Sequence, residues 1–546
     1  MASMSAAEHV ARIRHGYTFE GDAVTLGAAL VDGEVHPEAA VRLPLAMMNR
    51  HGLIAGATGT GKTITLQVIA EQLSARGVPV FLADIKGDLT GLSTAPAGSE
   101  KLLARTRGVG QAWAGRSFPV EYFSLGGDGP GVPLRARISD FGPLLLARVL
   151  ELNETQESSL QLVFHYADRN QLELYNLADL RAVIQFLVSA RGRTALEELG
   201  GLSKATAGVI LRKLVALEAQ GMDRFFGEPA FVTMDLLRPA ADGRGVISCL
   251  VLPALHSRPT LFSTFMMWLV ADLFAELPEV GDADKPRLVF FLDEAHLLFR
   301  NASRAFLESI TTTVRLVRSK GVGVFFVTQT PKDVPGDVLG QLANRIQHAL
   351  RAFTPEDAKA LKATVSTFPV SGYDLEEVLT PAGTGEAAVT VMNESGAPAP
   401  VAWTRMYSPE STMGPSPAAS VEAVVQASVL LPKYGQLVDS RSAFEKLAAP
   451  ERDPQPAGAP AGREDTDAEA RRIEEEILGR PADRPAAPDP AGGPPPGRRT
   501  RRPAAKAPAG SGGASEAFRD IAVQAAAALG RELARGLFGT RRRRRR

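Results

Sequence analysis

The chain has 546 residues, 45% of them hydrophobic and 22% charged, which is typical of a soluble globular protein with a sizeable core. Its 61 basic and 61 acidic residues balance, so the mean charge favours neither an acidic nor a basic partner. The only cysteine, Cys249, excludes a disulfide framework and a paired-cysteine zinc site. The N-terminus lacks the apolar run of a secretory signal, and no stretch reaches the roughly 18 uninterrupted apolar residues of a membrane span. We therefore expect a cytoplasmic protein.

Short apolar runs alternate with glycine and aspartate from Gly16 to about Leu45, and they predict a small N-terminal cap of strands. The run GLIAG then precedes a predicted helix from about Gly61 to Ala75, and the run VPVFLAD follows it. A strand, a helix and a second strand in this order indicate a parallel sheet.

The next segment, 139–240, shows helical spacing and is interpreted as an all-helical insertion. Strand patterns return in VISCLVL, RLVFFLDEA, VGVFFVTQ and RIQHALRAF, with an apolar helix from about Thr260 and an amphipathic helix over 303–319 between them. EAAVTVM and PVAWTRM predict a closing hairpin. The fold class predicted from these patterns is α/β with a mainly parallel sheet.

The C-terminal part changes composition, because its proline- and glycine-rich runs cannot bury enough apolar surface to fold. This composition predicts a disordered linker, and the pattern after it predicts an amphipathic helix that ends in six arginines. The predicted segments are the cap at 1–48, the first part of the core at 49–138, the insertion at 139–240, the second part of the core at 241–440, the linker at 441–514 and the tail helix at 515–546.

The sequence GATGTGKT lies where a strand passes into a helix, and it matches the phosphate-binding pattern G-x-x-x-x-G-K-[ST]. Glycines let successive backbone N–H groups point at phosphate oxygens, and the start of a helix favours negative charge. Lys62 would reach the β- and γ-phosphates, and the Thr63 hydroxyl would bind Mg²⁺. The predicted nucleotide-binding residues are Gly56, Ala57, Thr58, Gly59, Thr60, Gly61, Lys62, Thr63 and Ile64.

A second motif, LVFFLDEAH, places two carboxylates after an apolar strand, about 230 residues beyond the Gly-rich loop. Ligands bind at this end of the strands in α/β sheets, so we expect the pair on a strand tip neighbouring the loop. Asp293 would bind Mg²⁺, and Glu294 would orient or deprotonate the attacking water. Taken alone, the pair also fits a solvated acidic turn.

Further candidates are polar or cationic residues near the same edge. Thr328 and Gln329 end the next strand and could contact the γ-phosphate, or could simply form a polar strand terminus. Hydrolysis of a triphosphate gains from a cation, often supplied by a neighbouring subunit. Arg315 and Arg345 are the candidate catalytic arginines, with Arg318 a weaker one, and the alternative for each is a solvated or ion-paired surface position.

The run ADIKGDLTGL carries Asp84, Lys86 and Asp88 at the end of the second strand of the core. Its position indicates a place near the site. A turn stabilised by aspartate and glycine explains the same residues equally well.

GATGTGKT, ADIKGDLTGL, FFLDEAHLLF and a long block from Val314 to Asp357 resemble the HerA/FtsK-type P-loop ATPases. The resemblance covers about residues 15–440 and is closest to the bacterial HerA-like helicase C-terminal family. It implies a RecA-like sheet, ATP hydrolysis, a ring of six subunits and motor work on double-stranded DNA, with a nuclease as a candidate partner. It also supports nucleotide-site roles for Lys62, Thr63, Asp293, Glu294 and Gln329.

The function predicted from sequence is a Mg²⁺-dependent ATPase motor, a homo-hexameric DNA translocase or helicase. The alternative is a nucleotide-dependent scaffold or regulatory ATPase without translocation, which could be associated with a membrane through its tail. The arginine run, Arg541 to Arg546, would suit nucleic acid or an anionic membrane surface, or would only solubilise the tail.

Overall fold

The computed structural model describes residues 5–252, 259–281, 283–299 and 304–448. The predicted linker at 441–514 falls within the described residues only over 441–448, which include the short helix Ala443–Ala448, and the rest of the linker, the tail helix and the arginine run lie outside these residues. The strands of the described part are β1 Ala23–Val31, β2 Glu34–Pro44, β3 Gly52–Ala55, β4 Val80–Asp84, β5 Val120–Leu125, β6 Val132–Leu134, β7 Ile247–Val251, β8 Leu288–Leu292, β9 Val322–Thr328, β10 Asn344–His348, β11 Glu386–Thr390 and β12 Ala402–Met406.

The helices of the same residues surround this sheet. They are α1 Ala6–Gly16, α2 Lys62–Ala75, α3 Glu100–Gly108, α4 Ile138–Val149, α5 Glu154–Arg169, α6 Leu177–Val188, α7 Lys204–Ala219, α8 Pro259–Glu276, α9 His296–Phe299, α10 Arg304–Val317, α11 Gly336–Leu339, α12 Pro355–Val365, α13 Leu375–Leu379, α14 Ala418–Gln426, α15 Leu431–Tyr434 and α16 Ala443–Ala448.

The strands form one mixed sheet in the order β2-β1-β12-β11-β10-β3-β9-β8-β4-β7-β5-β6. All neighbours from β10 to β6 run parallel, whereas β11, β12, β1 and β2 add an antiparallel edge. The predicted α/β fold with a mainly parallel, RecA-like sheet is confirmed, and so is the closing hairpin of β11 and β12.

The N-terminal strands differ from the small cap that the sequence suggested. β1 and β2 are nine and eleven residues long, and β1 pairs with β12, so they extend the main sheet. Only tertiary pairing decides this, because β12 lies more than 370 residues further along the chain.

The core lies on both faces of the sheet, because the parallel strands are apolar along their whole length. β8 is buried at every position, with Phe290 in one apolar cluster and Phe291 in the other. The face of Phe290 is covered by α4 to α8 and α10, while α2 covers the opposite face. The helices between β6 and β7 therefore share a core with the sheet.

The apolar segment from Leu261 lies within α8, as expected, and Phe262 and Phe265 are fully buried there. A helix that is apolar on all sides is typical of a position inside the core. Among the helices that the structure describes, none has the length and apolarity required to cross a bilayer.

Candidate active site

The Gly-rich loop joins β3 to α2 at the carboxyl edge of the sheet. Gly56, Gly59 and Gly61 have φ angles of 153°, 77° and 115°, a region that side chains disfavour. The amide of Gly56 donates to the Thr328 carbonyl at 3.2 Å, and that of Ala57 donates to the Ala349 carbonyl at 2.8 Å. The loop is thereby fixed between the ends of β9 and β10, and its glycines give the backbone the shape that a phosphate cradle requires.

Lys62 is the first residue of α2 and is buried. Its Nζ donates to the Ala57 carbonyl at 3.0 Å, so the side chain folds back over its own loop. Burial lowers the pKa of Lys62, and the nearby charges of Glu294 and Asp293 oppose this effect. The two motifs therefore lie at the same edge of the sheet, although some 230 residues separate them in the chain. Thr63 and Ile64 follow in the first turn of the helix, both half-buried.

The acidic pair follows β8 and is almost completely buried, with Asp293 1% and Glu294 4% exposed. The Glu294 amide donates to Oδ1 of Asp293 at 2.8 Å. Glu294 has a φ of 48°, an uncommon conformation outside glycine that concentrates at functional sites. Burial, helped by the charge of Glu294, raises the pKa of Asp293 to about 7. Ionisation of Asp293 is thus costly in this structure, and a bound cation would relieve that cost.

Lys86 supplies such a cation in this structure. Its Nζ forms an ion pair with Oε1 of Glu294. Burial alone would raise the pKa of Glu294, but the contact with Lys86 lowers it below its ordinary value. His296 contacts the other oxygen of this carboxylate, with its Nδ1 3.2 Å from Oε2 of Glu294.

The two interpretations of ADIKGDLTGL apply to different residues. Asp84 stabilises the turn, because its carboxylate accepts from the amides of Gly87 at 2.7 Å and Leu89 at 3.0 Å. Lys86 reaches the candidate site. Asp88 is half-buried next to it, and burial raises the pKa of Asp88.

The sequence suggested that the acidic pair would follow the strand next to β3, which leads into the Gly-rich loop. In the structure, the pair follows a strand that is not adjacent to β3. β9 pairs with both β3 and β8 and so separates them. This places Thr328 and Gln329 between the loop and the acidic pair. Thr328 is buried and donates through its hydroxyl to Asp333 at 2.8 Å, whereas Gln329 is exposed. Of these two residues, Gln329 has the side chain that is available to a ligand.

The candidate arginines lie apart from these contacts. Arg315 is exposed on α10, and Arg318 is exposed just after it. Arg345 is half-buried, and its guanidinium donates to the carbonyls of Leu342 at 3.4 Å and Thr367 at 3.3 Å. Their catalytic roles stay predictions, since a residue that acts on a neighbouring subunit need not face its own loop.

A segment before β11 also touches the loop, and the sequence carried no signal for it. The Gly385 amide donates to the Thr60 carbonyl at 2.9 Å, and a Cβ on Gly61 would lie 3.3 Å from Cα of Gly385. Arg105 of α3 donates to the Gly385 carbonyl at 3.2 Å. No local pattern identifies these residues, because each acts through a partner about 280 or more residues distant.

His348 at the end of β10 links α2 to β11 through hydrogen bonds of its ring. Its Nδ1 lies 3.0 Å from the Glu386 carbonyl and its Nε2 3.0 Å from the Thr65 hydroxyl. The carbonyl can only accept, so Nδ1 donates to it and Nε2 accepts from Thr65. Burial lowers the pKa of His348 to about 4, which keeps the ring neutral at pH 7. The strand was predictable, but the role of its histidine was not.

The oxygen ligands at the site suit Mg²⁺. Oδ2 of Asp293 is buried without a hydrogen-bond partner among the described residues. Mg²⁺ takes few protein ligands, and one or two carboxylates with substrate phosphates are typical. Within the described ranges, no three histidine, cysteine or acidic side chains lie close enough together to hold a metal ion by themselves.

Solved structures similar to this chain include the bacterial conjugative coupling protein TrwB with sulphate, at 15% identity and a TM-score of 0.49, covering 76% of this chain and 96% of that one. TrwB with ADP and Mg²⁺ has 15% sequence identity and a TM-score of 0.47, and the match covers 72% of this chain and 96% of that one. VirB4 of Thermoanaerobacter pseudethanolicus has 13% sequence identity and a TM-score of 0.42, and the match covers 73% of this chain and 98% of that one. Curated protein sequences gave no match.

The model of the family described as Helicase HerA-like C-terminal matches residues 30–546. This range includes the Gly-rich loop, the acidic pair and the strands that carry them. The chain belongs to the HerA-like helicase C-terminal family.

Proposed function

We propose that this HerA-like P-loop protein binds ATP on the Gly-rich loop and hydrolyses it with the help of the acidic pair. The observation that carries the proposal is that the Gly-rich loop and the acidic pair follow β3 and β8 at one edge of the sheet, with only β9 between them, so that the charges of Asp293 and Glu294 act on Lys62. In this proposal the loop amides bind the phosphates, and Lys62 exchanges the Ala57 carbonyl for β- and γ-phosphate oxygens. The family and the similarity to TrwB, which has been solved with ADP and Mg²⁺, support this choice of ligand.

Thr63 and Asp293 would hold the Mg²⁺ ion, which supplies positive charge to the phosphates when it is bound. The unpartnered Oδ2 of Asp293 is available for this role. Glu294 would accept the proton of the attacking water, and Gln329 would orient that water or contact the γ-phosphate. Arg315 or Arg345 would complete the site of an adjacent subunit.

Two substitutions test these assignments. Lys62→Ala should abolish ATP hydrolysis, because the lysine is the cation closest to the phosphates. Glu294→Gln should still bind ATP but hydrolyse it about 100-fold or more slowly, the usual loss when a general base is removed. Steady-state phosphate release, measured beside the exposed-lysine control Lys359→Met, provides the comparison. Normal turnover by folded Glu294→Gln protein would reject the base assignment.

We further propose that the working form is a homo-hexameric ring that moves double-stranded DNA, as its family membership suggests. Duplex DNA should then raise the ATPase rate severalfold, and the mass with nucleotide bound should equal six chains. A slow ATPase that ignores duplex DNA would instead favour a nucleotide-dependent scaffold. Cytoplasmic location, a nuclease partner and a tail that binds nucleic acid or anionic membrane are parts of the proposal that need separate experiments.

A further inference from the structure

The ion pair between Lys86 and Glu294 joins the tips of two adjacent strands. β4 and β8 pair directly in the sheet, so the turns that follow them lie side by side. Lys86 is about half-exposed, with 42% of its side chain accessible, whereas the Glu294 carboxylate is nearly inaccessible at 5%. The exposed partner can therefore leave, while the buried partner stays in place.

The backbone presets both partners. Asp84 accepts from the amides of Gly87 and Leu89, which fixes the turn that presents Lys86. On the other tip, the positive φ of Glu294 and the bond from its amide to Asp293 orient its carboxylate. Two long side chains on a surface usually meet by chance and contribute little, but here the backbone of each partner is fixed, so both side chains start from set positions at the same edge of the sheet.

The same ammonium group is within electrostatic reach of the loop lysine. Lys86 and Lys62 repel one another, and both are attracted to Glu294. The space beside Lys62 is where the terminal phosphate of a nucleotide would lie on this loop. An ammonium group has three donors, and a phosphate with several negative oxygens competes for it better than one carboxylate does.

We propose that Lys86 is a positioning residue that responds to the γ-phosphate: it holds Glu294 in the nucleotide-free protein and moves onto the terminal phosphate of a bound nucleoside triphosphate, leaving the carboxylate free to accept the proton of water. The proposal rests on the proposed function and deepens it. A diphosphate lacks the γ-phosphate, so it leaves the ion pair intact. Lys86 thereby distinguishes the triphosphate from the diphosphate and couples that distinction to the base.

A double-mutant cycle in nucleotide binding tests this role. Calorimetry would compare a non-hydrolysable ATP analogue and ADP, each with Mg²⁺, on the full chain and on Lys86→Met, Glu294→Gln and the double variant. Lys86→Met should weaken the analogue about tenfold, the loss expected for one charge-assisted contact, and should leave ADP almost unchanged. Glu294→Gln should tighten the analogue when Lys86 is present, because the lysine is then released, but not when Lys86 is replaced.

Two controls separate this role from a structural one. Lys86→Arg should keep the preference for the triphosphate, and Lys359→Met should behave like the unaltered protein. The proposal would be overturned if Lys86→Met changed the affinities for the analogue and for ADP equally, or changed neither. It would also be overturned if Glu294→Gln changed the affinity for the analogue by the same factor with and without Lys86. If the unaltered protein binds neither nucleotide, the proposed function itself fails, and the role of Lys86 fails with it.

Discussion

Gly56 and Gly59 occupy the same loop but need to be glycine for different reasons. Both have a positive φ, which costs a side chain about 1 kcal/mol or more. A Cβ on Gly56 would also lie 2.5 Å from Cβ of His348, whereas a Cβ on Gly59 would meet no atom within 4 Å. A side chain at position 56 would therefore suffer both backbone strain and a steric clash, whereas one at position 59 would suffer backbone strain alone.

Gly56→Ala should therefore destabilise the protein more than Gly59→Ala. The clash with His348 adds roughly 1–3 kcal/mol, the usual cost of overpacking a tight site. Urea unfolding of both variants measures the difference, and Gly59→Ala serves as the matched control. Equal losses of unfolding free energy would show that the contact with His348 does not limit this position.

The site residues that could be predicted from sequence are those inside a local motif. Lys62 and Asp293 stand at fixed places relative to a strand and a helix, so local patterns suffice to bring them to one edge. The sequence could not decide whether Lys86 is a turn residue or a site residue. Lys86 meets Glu294 only because β4 pairs with β8.

At the scale of elements, α2 connects the loop to a distant segment through Glu71. This carboxylate accepts from the amides of Glu410 at 2.7 Å and Ser411 at 3.0 Å, and also from the Ser411 hydroxyl. Burial raises the pKa of Glu71 to about 7, although these hydrogen bonds oppose the shift. The helix that carries Lys62 thus packs on the C-terminal part through a carboxyl group that resists ionisation.

Glu71 should make stability fall with rising pH. Its pKa in the folded protein exceeds the ordinary value of 4.5, so the folded state holds its proton more tightly. The contribution is complete below the ordinary pKa and is lost as the pH rises through the folded value of about 7. Relative to Glu71→Gln, the unfolding free energy of the unaltered protein should drop by roughly 2 to 3 kcal/mol from pH 5 to pH 8.

Urea unfolding of both proteins across this range measures the effect. Other buried carboxyl groups, such as Asp84 and Asp272, are common to both proteins and cancel in the difference. Parallel stability curves would show that Glu71 is ionised in the folded protein at pH 7.

Element boundaries were predictable where one pattern repeats locally. α2 and the apolar strands β8 and β9 have such patterns, and the structure confirms them. The edge formed by β1 and β2 was not predictable, because its place in the sheet depends on pairing with β12. α12 was not predicted because its apolar stripe is weak, although its Thr354 cap and the proline at its first position are typical of a helix start.

At the scale of the whole molecule, an aromatic chain links the helical layer to the sheet. The Phe225 ring contacts those of Phe265 and Trp268 on α8, and Phe265 lies 6.5 Å from Phe81 of β4. Phe81 in turn packs on Phe290 of β8, the strand that carries the acidic pair. A shared core of this kind favours cooperative unfolding of helices and sheet together.

Phe225→Ala should lower the unfolding free energy by about 3–5 kcal/mol, the usual cost of removing a buried phenylalanine. Differential scanning calorimetry should show the transition of the folded core at a lower temperature, still as one peak. Two peaks, of which only one shifts, would show that residues 139–240 form an independent domain.

We expect a nucleoside triphosphate to bind at the edge of the sheet that carries Lys62, Asp293 and Glu294. Isothermal titration calorimetry of the full chain with MgATP, with Lys62→Ala as the comparison, measures this binding. The unaltered protein should bind about one nucleotide per chain, and folded Lys62→Ala should lose that binding. Absence of MgATP uptake by the folded, unaltered chain, or equal uptake by Lys62→Ala, would show that the triphosphate does not bind there.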